Sequence, residues 1–225
     1  MFLIRVAQHI ALALSATAAG AGTAAPVCKV PAPLRLVERF MSASCESCWA
    51  AQGVKSEAKR TVVLDWIAPA GDAASLAAGA VHEATARAGA LTSSATALRL
   101  TTLNTAAPRL RIADGPAWNG YIGLQLTVDR GGTLPDGAVA YIALVERVAA
   151  GSEGSTIARQ LVRNVVGPLS LEELAATTPV RHFRAMRLPE GAQADKLASV
   201  AWVETAGGNV IAATQSTDNA CKIAH

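Results

Sequence analysis

The stretch from Leu34 to Gln52, LRLVERFMSASCESCWAAQ, constrains the chain more than any other. An apolar, strand-like run leads through small polar residues to Cys45-Glu46-Ser47-Cys48, and Trp49-Ala50-Ala51-Gln52 suits the start of a helix that Gly53 keeps short. Two cysteines in this spacing at a helix start are close enough to join. The first of them faces the backbone N–H groups of the opening turn, which together with the helix dipole favour a thiolate. The pattern predicts Cys45 as an attacking sulfur and Cys48 as the thiol that resolves the mixed disulfide. The same spacing also fits an inert disulfide that closes a tight turn.

Glu46 and Ser47 lie between the cysteines. A carboxylate beside Cys45 disfavours its thiolate, so the pair is expected not to be a strong oxidant. Metal binding is not expected: a closed zinc site usually needs four N or S ligands, and His9, His82, His182 and His225 are scattered without ligand-spaced partners. No cofactor is implied. Motifs of nucleophile elbows, zinc proteases and phosphate-binding loops are absent from the 225 residues. The net charge of +3 is small and forms no basic stripe along the chain, so a nucleic-acid partner is not expected.

The N-terminus has the three-part layout of a secretory signal peptide. It shows one arginine before Gln8, a short apolar run from Ile10 to Ala19, and small residues up to Ala25. Cleavage is expected after Ala21 or Ala24, which makes residues 1–24 the signal region and the mature chain periplasmic or secreted, with no membrane partner after cleavage. In an oxidising compartment an even cysteine count favours disulfides. Cys28 and Cys221 remain after the central pair and are expected to form a structural bridge between the two ends of the mature chain.

Strand and helix signals then divide the chain. Leu34–Phe40 and Thr61–Ile67 read as strands, and Asp72 is a plausible N-cap for a helix running to about Leu91. Between Ser93 and Thr105 the pattern is ambiguous, with LRLTTL a strand candidate. From Pro108 onward come seven short β-like runs: Leu110–Ile112, Tyr121–Val128, Val139–Arg147, Arg159–Val166, Val180–Leu188, Ala198–Glu204 and Val210–Thr214. Turn residues separate them, and Gly207-Gly208-Asn209 reads as a tight hairpin. Leu169 to Ala176 suggests a single helical turn. The expected fold is therefore α+β: a small thioredoxin-like α/β unit over residues 30–105, then an antiparallel β-sandwich of about seven strands over 106–221.

Val37-Glu38-Arg39-Phe40-Met41-Ser42, followed by Cys45-Glu46-Ser47-Cys48, resembles a family of secreted bacterial thioredoxin-like proteins known as domain of unknown function 1223. That family reads roughly V-E-L-F-T-S-Q-G-C-S-S-C here. Leu64-Asp65-Trp66 is similar to its later V-D-Y-W. Gly154 to Val166 is similar to its C-terminal G-R-T-L-T-x-H-N-V-V-R-D-L. The resemblance implies a thioredoxin-like site acting on protein thiols or disulfides. Two departures stand out. Trp49-Ala50 replaces the family's P-P, and the only good candidate for a cis-proline facing the cysteines is Pro108, which no helix follows. Pro108 reads rather as the opening of the sandwich, and the thioredoxin-like unit is then truncated.

Asp65 has two readings, a buried acid that relays a proton to Cys48 or a strand-end residue bonded to local backbone. Trp49 and Trp66 have two as well, an apolar lip around the cysteines or core filling. Trp202 is expected in the sandwich core, Glu38 and Arg39 as a solvated pair, and Ser155-Thr156 as loop residues without a catalytic role. The competing function is a non-enzymatic secreted binding or structural module whose cysteines are staples.

Overall fold

The computed structural model of the protein describes residues 33, 35–42, 45–50, 60–68, 78–89, 96–104, 106–129, 134–152, 154–172, 179–188, 192 and 194–216. The signal region, Cys28, Cys221 and the Asp72 cap lie outside the described residues. In chain order the elements are β1 (Arg35–Ser42), α1 (Glu46–Ala50), β2 (Thr61–Ala68), α2 (Ala78–Ala88) and β3 (Thr96–Thr102). There follow β4 (Arg109–Trp118), β5 (Tyr121–Asp129), β6 (Val139–Val148), β7 (Arg159–Ser170), β8 (Val180–Arg187), β9 (Leu197–Glu204) and β10 (Val210–Gln215).

The strands form a seven-stranded sheet in the order β10-β9-β6-β7-β2-β1-β3 and a three-stranded sheet in the order β4-β5-β8. β1 and β2 are parallel neighbours, β2 and β7 are parallel, and every other pairing is antiparallel. The architecture is thus mostly β, with one large mixed sheet and a second smaller one. The expected boundary at 105/106 does not divide the sheets. β1, β2 and β3 from before it join β6, β7, β9 and β10 from after it, because β2 finds its second neighbour in β7.

Side-chain alternation along the strands builds two cores on opposite faces of the large sheet. On one face Leu36, Phe40, Val62, Leu64 and Trp66 meet Ala80, Ala84 and Ala88 of α2, together with Val145, Val200 and Trp202. Alanines four residues apart present a narrow stripe of small side chains, which lets the helix sit close on the sheet. Gly89, with φ 46°, ends α2 in a left-handed conformation that costs other residues energy. On the other face Ile142, Leu144, Ala201 and Val203 pack against Leu124, Leu126, Val128, Val180 and Met186 of the small sheet. This second core joins the two sheets, but not as the seven-stranded antiparallel sandwich expected over 106–221: a three-stranded sheet packs on a mixed sheet that also takes in β1, β2 and β3. Trp202 is not in this second core: it lies fully buried on the α2 face, edge-on to Trp66 at 6.2 Å. The two ends of the large sheet approach each other, and Asn104 N–H donates to the Ile211 carbonyl at 3.2 Å.

Several local expectations change. β4 runs on to Trp118 instead of stopping at Ile112, because a register shift between Asp114 and Ala117 absorbs Gly115 and Pro116. Asn119 (φ 48°) and Gly120 (φ 78°) then turn the chain into β5, the positive-φ pair that a two-residue hairpin requires. β7 extends to Ser170, so Leu169 and Ser170 belong to a strand paired with Ala140 and Val139, not to a helical turn. Pro108 immediately precedes β4 and follows a trans bond; among the described residues the cis peptide is Gly167–Pro168. Among the described residues, no helix is long and apolar enough to cross a membrane.

Candidate functional site at the Cys45–Cys48 pair

β1 delivers the chain to Cys45 at the edge of α1. Cys45 N–H donates back to the Ser42 carbonyl at 3.1 Å, and the Cys45 carbonyl accepts from Cys48 N–H at 3.1 Å and Trp49 N–H at 3.3 Å. Those bonds make Cys45 the N-cap of α1. Its sulfur takes the place of the usual capping oxygen, accepting from Cys48 N–H at 3.2 Å, with Ser47 Oγ at 3.5 Å. Cys45 and Cys48 are joined as a disulfide with Cα atoms 5.2 Å apart. Cys45 is partly exposed, whereas Cys48 is only 8% exposed.

The far end of α1 is held by residues more than a hundred positions later. Arg159 Nη2 donates to the Trp49 carbonyl at 2.8 Å and more loosely to the Cys48 carbonyl at 3.4 Å, and Thr156 Oγ1 donates to the Ala50 carbonyl at 2.8 Å. These are last-turn carbonyls that an isolated helix would leave unpaired. The Arg159 guanidinium also lies 5.0 Å from the Trp49 ring centre, a cation–π distance. Ser155 accepts from Arg159 Nε at 2.8 Å and donates to the Ile157 carbonyl at 2.8 Å. Arg159 Nη1 reaches Met41 Sδ at 3.2 Å and Asp65 Oδ1 at 3.5 Å.

Beneath this helix lies a buried ion-pair network. Arg39 grips Asp65 with two bonds, Nε to Oδ1 at 2.5 Å and Nη2 to Oδ2 at 2.6 Å. Gln160 N–H donates to Asp65 Oδ2 at 2.6 Å. Asp65 is fully buried in the middle of β2, not at a strand end, and these donors and Arg159 surround both of its oxygens. Its link to Cys48 runs through Arg159 and backbone, with no direct bond to the sulfur among those described. Burial pushes the Arg159 guanidinium below its ordinary pKa, and the charge of Asp65 only partly restores it.

No protein-family model, curated protein or solved structure matches this chain. The site therefore stands on its own geometry.

Of the residues singled out in the sequence, Cys45, Cys48, Trp49 and Asp65 are brought to one face of the large sheet, and Trp66 is not. Trp66 points to the opposite face, fully buried, donating to Glu38 Oε1 at 3.2 Å. It is core, the second of its two readings. Pro108 opens the small sheet. Glu38 and Arg39 are the clearest correction: they are 0% and 5% exposed, not a solvated pair. They sit inside β1 with covered faces on both sides, and alternation sends them to different networks. Arg159, Thr156 and Ser155 were missed as site residues. Their only signal in the sequence is the second point of resemblance, Gly154 to Val166, which meets the cysteine stretch at α1.

Proposed function

We propose that the protein is an exported, thioredoxin-like thiol–disulfide redox protein acting through Cys45 and Cys48. The observation that carries this reading is the asymmetry of the pair: Cys45 is the partly exposed N-cap whose sulfur accepts the Cys48 N–H at 3.2 Å, and Cys48 is buried one turn on. An N–H aimed at sulfur stabilises the thiolate more than the thiol. The order β1–cysteines–α1–β2, with β1 and β2 parallel, also supports a thioredoxin-like unit.

In the reducing direction, the Cys45 thiolate attacks one sulfur of a substrate disulfide. A Cys45–substrate bond forms, and the substrate's other sulfur leaves as a thiolate. The Cys48 thiolate then attacks Cys45 sulfur, which forms the Cys45–Cys48 bond and releases the second substrate thiolate. Two electrons pass from the cysteine pair to the substrate, and the oxidising direction runs through the same steps in reverse. Arg159 is a positioning residue, since it fixes the carbonyls of Cys48 and Trp49.

The thioredoxin-like reading departs from the usual pattern at the proline. In such sites the cis-proline precedes a strand that follows a helix. Here that strand is β3, and residues 90–95, ALTSSA, contain no proline. The competing reading, an inert disulfide, draws on a specific observation too: Arg159 and Thr156 clamp the far end of a helix whose first turn the disulfide already closes.

A redox titration of the purified mature chain, with alkylation of free thiols at each potential, separates the two. A Cys45–Cys48 couple that titrates above about −300 mV, where catalytic dithiols lie, supports the redox function. Retention of the disulfide well below that value is the behaviour of a structural bridge and overturns it.

A further inference from the structure

On the sheet face opposite the cysteines, a pocket of about 650 Å³ opens where the large sheet curls past α2. That volume suits a small organic molecule. Its walls carry Glu38, Glu83, Arg87, Arg99, Tyr141 and Glu204. Three carboxylates thus face two guanidiniums.

The two arginines are already committed. Arg87 Nε donates to Glu38 Oε1 at 2.6 Å, and its Nη1 bonds Glu204 and reaches Glu83 Oε1 at 3.3 Å. Its guanidinium sits over Trp202 and Trp66, at 5.0 and 5.7 Å from the ring centres. Burial works against the Arg87 charge, but the bonds and charges of Glu38 and Glu204 outweigh it and raise its pKa above the ordinary value. Arg99 Nη2 is held by the Arg87 carbonyl at 2.6 Å.

One acceptor is left over. Glu38 is fully buried, and among the described residues its Oε2 has no hydrogen-bond partner. Arg99 Nη1 stays at 3.5 Å from it, and the Arg99 side chain is 39% exposed. A buried carboxylate oxygen without a donor is costly, and such groups are normally satisfied. Beside it stands an aromatic wall. Tyr141 stacks on Trp202 with ring centres 5.3 Å apart. Gly167 lets that ring sit close, since a Cβ at 167 would lie 2.9 Å from Tyr141 Cε1 and still closer to Cδ1.

We propose that this pocket binds a small organic cation with N–H donors, a primary ammonium or a guanidinium. The ligand's N–H replaces Arg99 Nη1 at Glu38 Oε2, its charge faces that buried carboxylate, and its alkyl part lies along Tyr141. This binding does not depend on the redox reading, because α1 is on the other face of the sheet.

Calorimetric titration of the full mature chain with n-butylammonium tests it, with tetramethylammonium and acetate as parallel titrants. Saturable butylammonium binding is expected, with tetramethylammonium weaker by about tenfold or more because it has no N–H, and with no binding of acetate. Arg99→Met, at a half-exposed position, removes the competing cation and should tighten butylammonium binding. Glu83→Gln removes a rim charge and should weaken it. Absence of saturable butylammonium binding overturns the proposal. So does equal binding of tetramethylammonium, binding of acetate, or affinity unmoved in both variants while their unfolding midpoints show them folded.

Discussion

Glu38 and Arg39 are neighbours in sequence and belong to different sites. In an extended strand successive side chains point to opposite faces, and β1 is covered on both. Glu38 joins Arg87 and Trp66 against α2, and Arg39 joins Asp65 under α1. Breaking such a buried pair from one side leaves an uncompensated charge, which typically costs about 3–5 kcal/mol. Asp65→Asn strands the charges of both Arg39 and Arg159, so we expect a loss in that range, read from the denaturant midpoint; a loss under about 1 kcal/mol would mean that water reaches the pair. Glu83 gives a pH signature. Burial raises its pKa above the ordinary 4.5, partly offset by Arg87. Arg87, Glu204 and His82 are the charged neighbours that act on it. Above pH 4.5 the folded state therefore holds this proton longer than the unfolded chain, and the associated stability is lost as pH rises through the folded pKa. Glu83→Gln should flatten the fall of unfolding free energy from pH 4.5 toward neutrality; an unchanged slope would assign the fall to other groups.

At the scale of elements, α1 is too short to form by itself. A five-residue helix lies far below the length at which helix propagation outweighs nucleation. It is held instead at its start by the Cys45 cap and the disulfide, and at its end by Arg159 and Thr156. The β4–β5 hairpin is the opposite case, fixed by its own two turn residues. Gly120 has φ 78° and nothing within 4 Å of where a Cβ would stand. Gly120→Ala should thus cost about 1 kcal/mol through backbone conformation alone, with an unchanged denaturant m-value. A change in m would show that the turn also shapes the denatured ensemble.

Over the whole molecule, the two halves of the chain share a sheet and a core. Trp66 from the first half packs against Trp202 from the second, and both are fully buried. Arg159 and Thr156 of the second half complete the helix that carries the cysteines. A fragment of residues 30–105 would expose the β2 edge that β7 covers, together with Trp66, whose burial contributes roughly 2–3 kcal/mol. We expect this fragment to show no cooperative unfolding transition by calorimetry. A sharp heat-capacity peak would make the first half an independent domain after all.

The local features were legible in the sequence because each is set by a few adjacent residues. Alternating apolar residues marked the core of β5, and apolar runs bounded by turn residues marked β6 and β9. The cysteine spacing marked the pair, and Gly207-Gly208-Asn209 marked the β9–β10 hairpin. The Asn119-Gly120 signal was present too, but Gly115 and Pro116 hid the strand before it by mimicking a break. What the tertiary structure alone decided was partnership. Residue patterns give the period of a strand but not its neighbour, so the pairing of β2 with β7, Asp65 against Leu161, was invisible. The same holds for charge. Glu38, Arg39, Asp65 and Arg159 look like surface residues by type, and only long-range packing brings the opposite charges close enough to be buried together.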